Sequence, residues 1–145
     1  MDTELTEEKR KAAELTPAAE DYLKMIFRMS FDDCQNGAGK PVRICALAES
    51  LHVSPSSASR MAQSMALWGY LDFRRYGFIM MTDLGREHGE YLVRRHDTVE
   101  KFFCRLCGGE TDVDIEKIEH YVTKGATEAM EKSMAPCDDN SEEKS

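Results

Sequence analysis

Residues 46–71 read ALAESLHVSPSSASRMAQSMALWGYL, and this stretch decides the fold. Apolar residues recur at helical spacing between Val42 and Leu51, which predicts a first short helix. Ser54-Pro55 pairs an N-cap residue with a proline at the first helical position, so a second helix begins there. Gly69 ends the second helix. Two short helices separated by a few residues form a helix-turn-helix pattern.

The segment that follows predicts a β wing. Two short β-prone runs, at Tyr70–Phe73 and Phe78–Met80, flank the basic turn Arg74–Gly77. The pattern therefore indicates a winged helix-turn-helix.

Further helices flank this unit on both sides. Thr16-Pro17 begins a helix that we expect to end near Asp33, and Thr82-Asp83 caps a long helix that runs to Gly108-Gly109. A last helix is expected from about Asp112, with Gly125 separating it from a short helix that ends near Met134. The predicted fold is mainly α with a small β wing.

The same signals predict four segments along the chain. Residues 1–15 are expected to form a flexible N-terminus, 16–82 a winged helix-turn-helix domain, 83–134 a helical domain, and 135–145 a disordered acidic tail.

The charge distribution is uneven. The 145-residue chain has a formal net charge of −8, yet residues 36–82 hold five basic and two acidic side chains, about +3, which leaves about −11 elsewhere. A mildly basic segment inside an acidic chain suits a reader of phosphates joined to a unit that holds cations. The charge distribution is also compatible with an acidic surface that is only solvated and binds no cation.

Composition limits the class of protein. No apolar stretch is long enough for a membrane helix and the N-terminus lacks an apolar export core, so we expect a cytoplasmic protein without a membrane partner. Five cysteines without a scaffold pattern predict thiols and not disulfides. Cys104 and Cys107 have no second cysteine pair to complete a structural zinc site, and no nucleophile motif surrounds any cysteine, so we do not expect an enzyme.

The second helix of the pattern and the wing supply the candidate DNA contacts. Residues at the start of that helix enter the major groove in such folds, where arginine can bind guanine, glutamine can bind adenine and serines can bind phosphate. The candidate residues are Arg43, Ser54, Pro55, Ser56, Ser57, Ser59, Arg60, Gln63, Arg74, Arg75 and Tyr76.

The segment around His120 suggests half of a metal site. Glu116, Glu119 and His120 have i, i+3, i+4 spacing, which places two carboxylates and an imidazole on one helix face. His96 falls on the packed face of the long helix, and Glu100, one turn on, could orient its ring. Separate surface salt bridges are the alternative explanation.

Asp21 adds a third segment to this set. It is expected within the apolar stripe of helix one, where burial would be costly unless a cation or a donor meets its carboxylate. Three helices thus each offer a polar group that one shared cation would satisfy.

Five segments together resemble the diphtheria toxin repressor family of metal-dependent regulators, especially its short manganese transport regulator branch. They are AEDYLKMIF (19–27), residues 46–71, RRYGFIMMTDLG (74–85), LVRRHDTVEKF (92–102) and DIEKIEHYV (114–122). The resemblance implies that residues 16–82 are a DNA-binding domain and residues 83–134 a metal-binding and dimerisation domain. It also implies a homodimer with two DNA-reading lobes that binds palindromic operator DNA and represses metal-uptake genes when a divalent metal is bound.

The resemblance also implies a ligand set: Asp21, His96, Glu116, Glu119 and His120. Oxygen and imidazole donors suit Mn(II), with Fe(II) or Zn(II) as competitors. The manganese branch has a glutamate where this chain has Lys24, whose ammonium cannot ligate a metal. We therefore hypothesise one metal per chain instead of two, with Lys24 modulating the site.

Two other interpretations stay open at this point. The chain could be a winged-helix regulator whose trigger is metal-independent or an organic ligand. It could also be a metal-buffering or dimerisation module that no longer reads DNA.

Overall fold

The structure, a computed structural model, describes residues 15–31, 39–109 and 113–135. Its helices are α1 (Pro17–Phe31), α2 (Ile44–Leu51), α3 (Pro55–Leu67), α4 (Asp83–Cys107), α5 (Ile115–Ile118) and α6 (Lys124–Met134). Its strands are β1 (Val42–Arg43), β2 (Leu71–Phe73) and β3 (Phe78–Met81), with 3-10 turns at Arg75–Gly77 and Glu119–Tyr121. None of the helices in these ranges combines the length and the apolar character that crossing a membrane requires. The expected segments 1–14 and 136–145 lie outside the described residues.

Local capping signals set the bounds of the first helices. The Thr16 hydroxyl accepts a hydrogen bond from the Ala19 amide at 3.2 Å, as expected for an N-cap. His52 adopts a left-handed conformation, φ 56°, and its amide donates to the Glu49 carbonyl, which ends α2. Helix α1 is described to Phe31, so its expected continuation to Asp33 lies outside the described residues.

The three strands form one antiparallel sheet in the order β1-β3-β2. Val42 pairs with Ile79, and Leu71 pairs with Met81. The prediction that Val42 begins a helix was therefore wrong. Val42 is 3% exposed and paired in the sheet, so tertiary pairing overrides its local helical pattern.

Two compact units divide the chain between Val93 and Arg94, a point inside helix α4. The first unit contains one apolar core from α1, α2, α3, the sheet and the start of α4. Its buried members are Leu15, Ala19, Tyr22, Leu23, Ile26, Val42, Leu47, Ala48, Ala58, Ala62, Met65, Tyr70, Leu71, Ile79 and Leu92. Leu15, which the sequence placed in a flexible N-terminus, belongs to this core.

Helix α4 begins close against the wing strands because Gly85 carries no side chain. A Cβ atom at Gly85 would lie 2.0 Å from the carbonyl oxygen of Tyr70, far inside contact distance. The Thr82 hydroxyl caps the helix by accepting from the Gly85 amide at 3.1 Å. Glycine at this position thus permits the wing and α4 to share one core.

The second unit is joined mainly by polar contacts. Glu131 on α6 accepts two hydrogen bonds of 2.6 Å from the Arg94 guanidinium and one of 3.1 Å from the Thr98 hydroxyl. Arg105 donates to the Met134 carbonyl at 3.0 Å. Helix α6 is therefore held along α4 by charge-assisted hydrogen bonds.

The region between α4 and α6 corrects two expectations. The predicted continuous helix from Asp112 is a four-residue α5 followed by the 3-10 turn Glu119–Tyr121. Gly125 does not separate the two last helices as expected, since it lies inside α6. Thr123, in extended conformation, is the N-cap of α6 and accepts from the Ala126 amide, so the cap residue sets the boundary.

Candidate DNA-reading surface and candidate metal centre

Helix α3 presents its N-terminus as a capped, exposed turn. The Ser54 side chain accepts from the Ser57 amide at 3.2 Å and donates to the Ser57 hydroxyl at 2.8 Å. Pro55 occupies the first helical turn. The Ser54 hydroxyl is thus engaged in capping, and the amides of this turn add the partial positive charge that favours phosphate.

The other predicted DNA contacts on α3 are mostly solvent-facing. Ser56, Ser57, Arg60 and Gln63 are exposed, whereas Ser59 is half-buried. The opposite side of α3 is anchored in the core through Ala58, Ala62 and Met65. The polar face of α3 is therefore accessible to a ligand that binds the first unit.

The wing brings further cationic and aromatic groups to the surface. Arg74, Arg75 and Tyr76 are exposed, and Tyr76 sits at the tip with φ 63° and 87% exposure. Arg43 lies on β1 with its guanidinium 5.0 Å from the centroid of the Phe78 ring, which holds it over the sheet.

In the second unit, His96 and Glu119 form the centre of a polar cluster. The Nδ1 atom of His96 is hydrogen-bonded to a carboxylate oxygen of Glu119. Glu119 is 1% exposed. A carboxylate this deeply buried is costly unless a proton donor or a cation compensates it, and the His96 ring is one group that contacts it.

Further ligand-type groups surround this pair. A ring nitrogen of His120 and a carboxylate oxygen of Glu119 lie within 4.8 Å of each other. The Nε2 atom of His96 is 3.8 Å from Glu100, and Asp97 joins these two within 4.8 Å. Two imidazoles and several carboxylates in one small region are a donor set that fits a divalent cation.

Asp97 is a candidate ligand of this cluster that was not predicted from the sequence. Adjacent residues on a helix do not share a face, so spacing rules give no signal for Asp97 next to His96. Only its position beside the histidine could have suggested it.

Glu116 is a predicted metal ligand of the second unit that the structure does not group with the other candidate ligands. It is exposed on α5, and it belongs to neither group of three candidate ligands found among the described residues.

On helix α1 the structure differs from the expected burial of Asp21. The Asp21 side chain is 45% exposed, while the Lys24 side chain is 8% exposed. The expectation that Asp21 is the buried polar group was therefore wrong, and Lys24 takes that position. Lys24 Nζ lies 3.8 Å from Asp21 Oδ1, a distance typical of a loose ion pair.

Comparison with known families places both halves of the chain. Residues 14–78 match the description "Iron dependent repressor, N-terminal DNA binding domain", and residues 82–144 match "Iron dependent repressor, metal binding and dimerisation domain". The chain belongs to the iron dependent repressor family. This confirms the resemblance and the fold class predicted from the sequence, with an N-terminal DNA-binding domain followed by a helical metal-binding and dimerisation domain.

Curated relatives agree with this assignment. The chain is 34% identical over 110 residues to the HTH-type transcriptional regulator MntR of Oceanobacillus iheyensis, covering 74% of this chain and 71% of the relative. It is 31% identical over 117 residues to MntR of Geobacillus kaustophilus, covering 79% of each. These relatives are transcription regulators.

Solved structures share the fold. The manganese regulator SloR matches with a TM-score of 0.65 and 26% identity over 82% of this chain and 54% of that one. ScaR, solved with bound Zn2+, matches with a TM-score of 0.64 and 23% identity over 79% of this chain and 52% of that one. The chain spans about half the length of these solved structures.

Proposed function

We propose that this protein is a metal-dependent transcription repressor that controls genes of divalent-metal homeostasis, with Mn(II) as the effector. It acts as a homodimer on palindromic operator DNA, with two copies of helix α3 in successive major grooves. The family membership supports the pairing of DNA binding with metal binding.

The observation that carries the metal part is the buried Glu119 carboxylate bonded to His96. His120 lies beside Glu119, and Glu100 faces the second nitrogen of His96. These four residues form the core of the proposed site. Asp21 is added to the ligand set from the sequence resemblance alone; its side chain is 45% exposed and lies 3.8 Å from Lys24 Nζ. A bound cation supplies positive charge that would offset the mutual repulsion of these carboxylates.

The chemistry of the donors supports Mn(II) as the effector. The set consists of carboxylate oxygens and imidazole nitrogens without a thiolate, which suits a hard to borderline divalent ion. The relatives named MntR and the manganese regulator SloR support the same choice. Fe(II) and Zn(II) are the competing ions that the test must include.

The proposed DNA contact rests on the exposed face of α3 and on the wing. Arg60 and Gln63 are placed to read base edges, while Ser56, Ser57 and the amides of the α3 N-terminus would bind phosphates. Arg43, Arg74, Arg75 and Tyr76 would contact the neighbouring backbone. Ser54 and Pro55 contribute to DNA binding indirectly, because they fix the start of α3. Ser59 would contribute to the DNA contact from a half-buried position.

Gel shift with a metal series tests the function. A duplex enriched from a random-sequence library in the presence of Mn(II) serves as the operator probe. We expect binding with Mn(II) that is abolished by EDTA, and weaker binding with Fe(II) or Zn(II). Binding that ignores metal would contradict the proposal, as would failure to enrich any duplex.

We further propose that one Mn(II) binds per chain, because Lys24 already places a buried ammonium beside Asp21. An ammonium repels a second cation and cannot ligate it. Native mass spectrometry should count one Mn(II) per chain in the wild type and two in Lys24→Glu. Two ions in the wild type would refute this stoichiometry while leaving the repressor proposal intact.

A regulator triggered by an organic ligand is the rival explanation. In the first unit, a cleft of about 260 Å³ is lined by residues that include Ser30, Phe31, Met81 and Arg86. Ligand pockets usually measure about 300–1,000 Å³, so this cleft is small for such a trigger. The metal series above separates the two explanations, since an organic trigger predicts binding that EDTA leaves unchanged.

A further inference from the structure

The last turn of helix α4 carries two cysteines that the proposed metal site does not use. Cys104 is half-buried and Cys107 is exposed, and both are thiols. They belong to the second unit, on the helix that also carries His96. Their spacing of three residues places them on one face of the helix.

The helix geometry brings the two residues within disulfide range. Residues i and i+3 of an α-helix have Cα atoms about 5 Å apart, from a rise of about 1.5 Å per residue and a radius of about 2.3 Å. Disulfides span Cα separations of about 4.4–6.8 Å. The Cα separation therefore permits a bridge. The Cβ atoms, about 5–6 Å apart at this spacing on a helix, must approach to about 3.5–4.5 Å, which requires the last turn of α4 to adjust.

The end of the helix leaves room for a reagent. Gly108 and Gly109 follow directly with φ of 74° and 140°, and the Gly109 amide donates to the Cys104 carbonyl at 2.8 Å. A Cβ atom at either glycine would meet nothing within 4 Å. Cys107 thus borders open space, and two glycines give this turn the backbone freedom to adjust.

A metal explanation for the pair has less support. Among the described residues, no histidine or carboxylate joins Cys104 and Cys107 in a group of three candidate ligands. A structural zinc ion needs four ligands. Disulfides that do form in reducing compartments are usually transient and are catalytic or redox-sensing.

We propose that Cys104 and Cys107 are a redox-responsive dithiol that forms an intramolecular disulfide by exchange with a low-molecular-weight disulfide. The exposed Cys107 thiolate attacks one sulfur of the reagent and displaces one thiol. Cys104 then attacks the Cys107 sulfur, the mixed disulfide breaks and the second thiol leaves. Two cysteines are oxidised and one reagent disulfide is reduced, with the two thiol protons carried by the released thiols.

The sequence provides a direct test, because Arg105 lies between the cysteines. The full chain is equilibrated with glutathione disulfide, alkylated, and digested with trypsin without reduction. A disulfide leaves peptides 102–105 (FFCR) and 106–117 (LCGGETDVDIEK) covalently joined. Cys45, exposed on α2 in peptide 44–60, is the single-thiol control and should carry glutathione.

The expected result is the joined peptide pair in a chain that stays monomeric on a denaturing, non-reducing gel. In Cys107→Ser, Cys104 should stop at the glutathione adduct or stay a thiol. Recovery of the wild-type peptides separately, each as a thiol or an adduct, would overturn the proposal. So would a covalent dimer joined through these peptides. Circular dichroism of Cys107→Ser verifies that the variant is folded.

Discussion

The two compact units differ in what holds them together. Fifteen of the sixteen buried apolar residues among the described residues belong to the first unit, and Val99 alone belongs to the second. The second unit buries Glu119, Arg95, Thr98 and Thr127 instead.

This difference in the type of buried residue corresponds to the different functions of the two units. An apolar core fixes the shape of the DNA-reading unit whatever the solution contains, since burial of apolar surface is insensitive to pH and ions. The second unit instead buries the Glu119 carboxylate, which is hydrogen-bonded to the His96 ring, and a buried charge depends on a compensating donor or cation. The unit that senses is therefore the one with the polar interior.

The largest expected effect tests the apolar unit through Gly85. Gly85→Ala places a Cβ atom 2.0 Å from the Tyr70 carbonyl oxygen, so α4 must move away from the wing. We expect a loss of about 3 kcal/mol in the free energy of unfolding, the upper range for overpacking. Urea denaturation followed by circular dichroism measures it.

Gly125→Ala is the matched control in the second unit. A Cβ there meets nothing within 4 Å, and the residue lies inside α6, so alanine should stabilise by about 0.5–1 kcal/mol. If Gly85→Ala had the same free energy of unfolding as the wild type, this would contradict the claim that α4 and the wing share one tightly packed core.

A second prediction separates the two units by function. Arg60→Ala should weaken operator binding about 10- to 100-fold, because one arginine–guanine pair contributes about 1–3 kcal/mol. Mn(II) affinity should stay unchanged, since Arg60 is an exposed residue of the first unit. Lys101→Ala, which removes an exposed cation of the second unit, is the charge-matched control. Undiminished DNA binding by Arg60→Ala, measured by fluorescence anisotropy, would remove Arg60 from the reading surface.

The smallest expected effect concerns the polar contact between α4 and α6. Hydrogen bonds from Arg94 hold the pKa of Glu131 below its ordinary value of 4.5. A lowered pKa in the folded state means that this stabilisation is complete above pH 4.5 and is lost as the pH falls through the lowered value. Glu131→Gln should cost about 0.5–1 kcal/mol at neutral pH.

Hydrogen exchange of the α6 amides measures this effect. Wild-type protection should fall on acidification below pH 4.5, and Glu131→Gln should show low protection that changes little over the same range. An identical pH profile in both proteins would show that another group controls the second unit.

The elements with local signals could be predicted from the sequence. Thr16, Ser54-Pro55 and Thr82 each cap a helix as expected, because capping is decided by neighbours a few residues away. The wing was predicted for the same reason. Strand β1 was missed, since its two residues become a strand only by pairing with β3.

The candidate site was predicted less completely. His96, Glu119 and His120 were identified because histidines and carboxylates near an apolar stripe are conspicuous. Asp21 was expected to be buried, but its side chain is 45% exposed and that of Lys24, one turn away on the same face, is 8% exposed. Glu116 is exposed and belongs to neither group of candidate ligands among the described residues, although its spacing from Glu119 and His120 favoured it.

Isothermal titration calorimetry of Mn(II) into wild type, Glu119→Gln and Glu116→Gln tests the central claim, that the His96–Glu119 cluster is the metal site. We predict that Glu119→Gln weakens binding by about 100-fold or more, as loss of a buried ligand requires. Glu116→Gln should change it by less than about fivefold, since an exposed charge contributes about 1 kcal/mol or less. Wild-type affinity in Glu119→Gln, or an equal loss in both variants, would contradict the account.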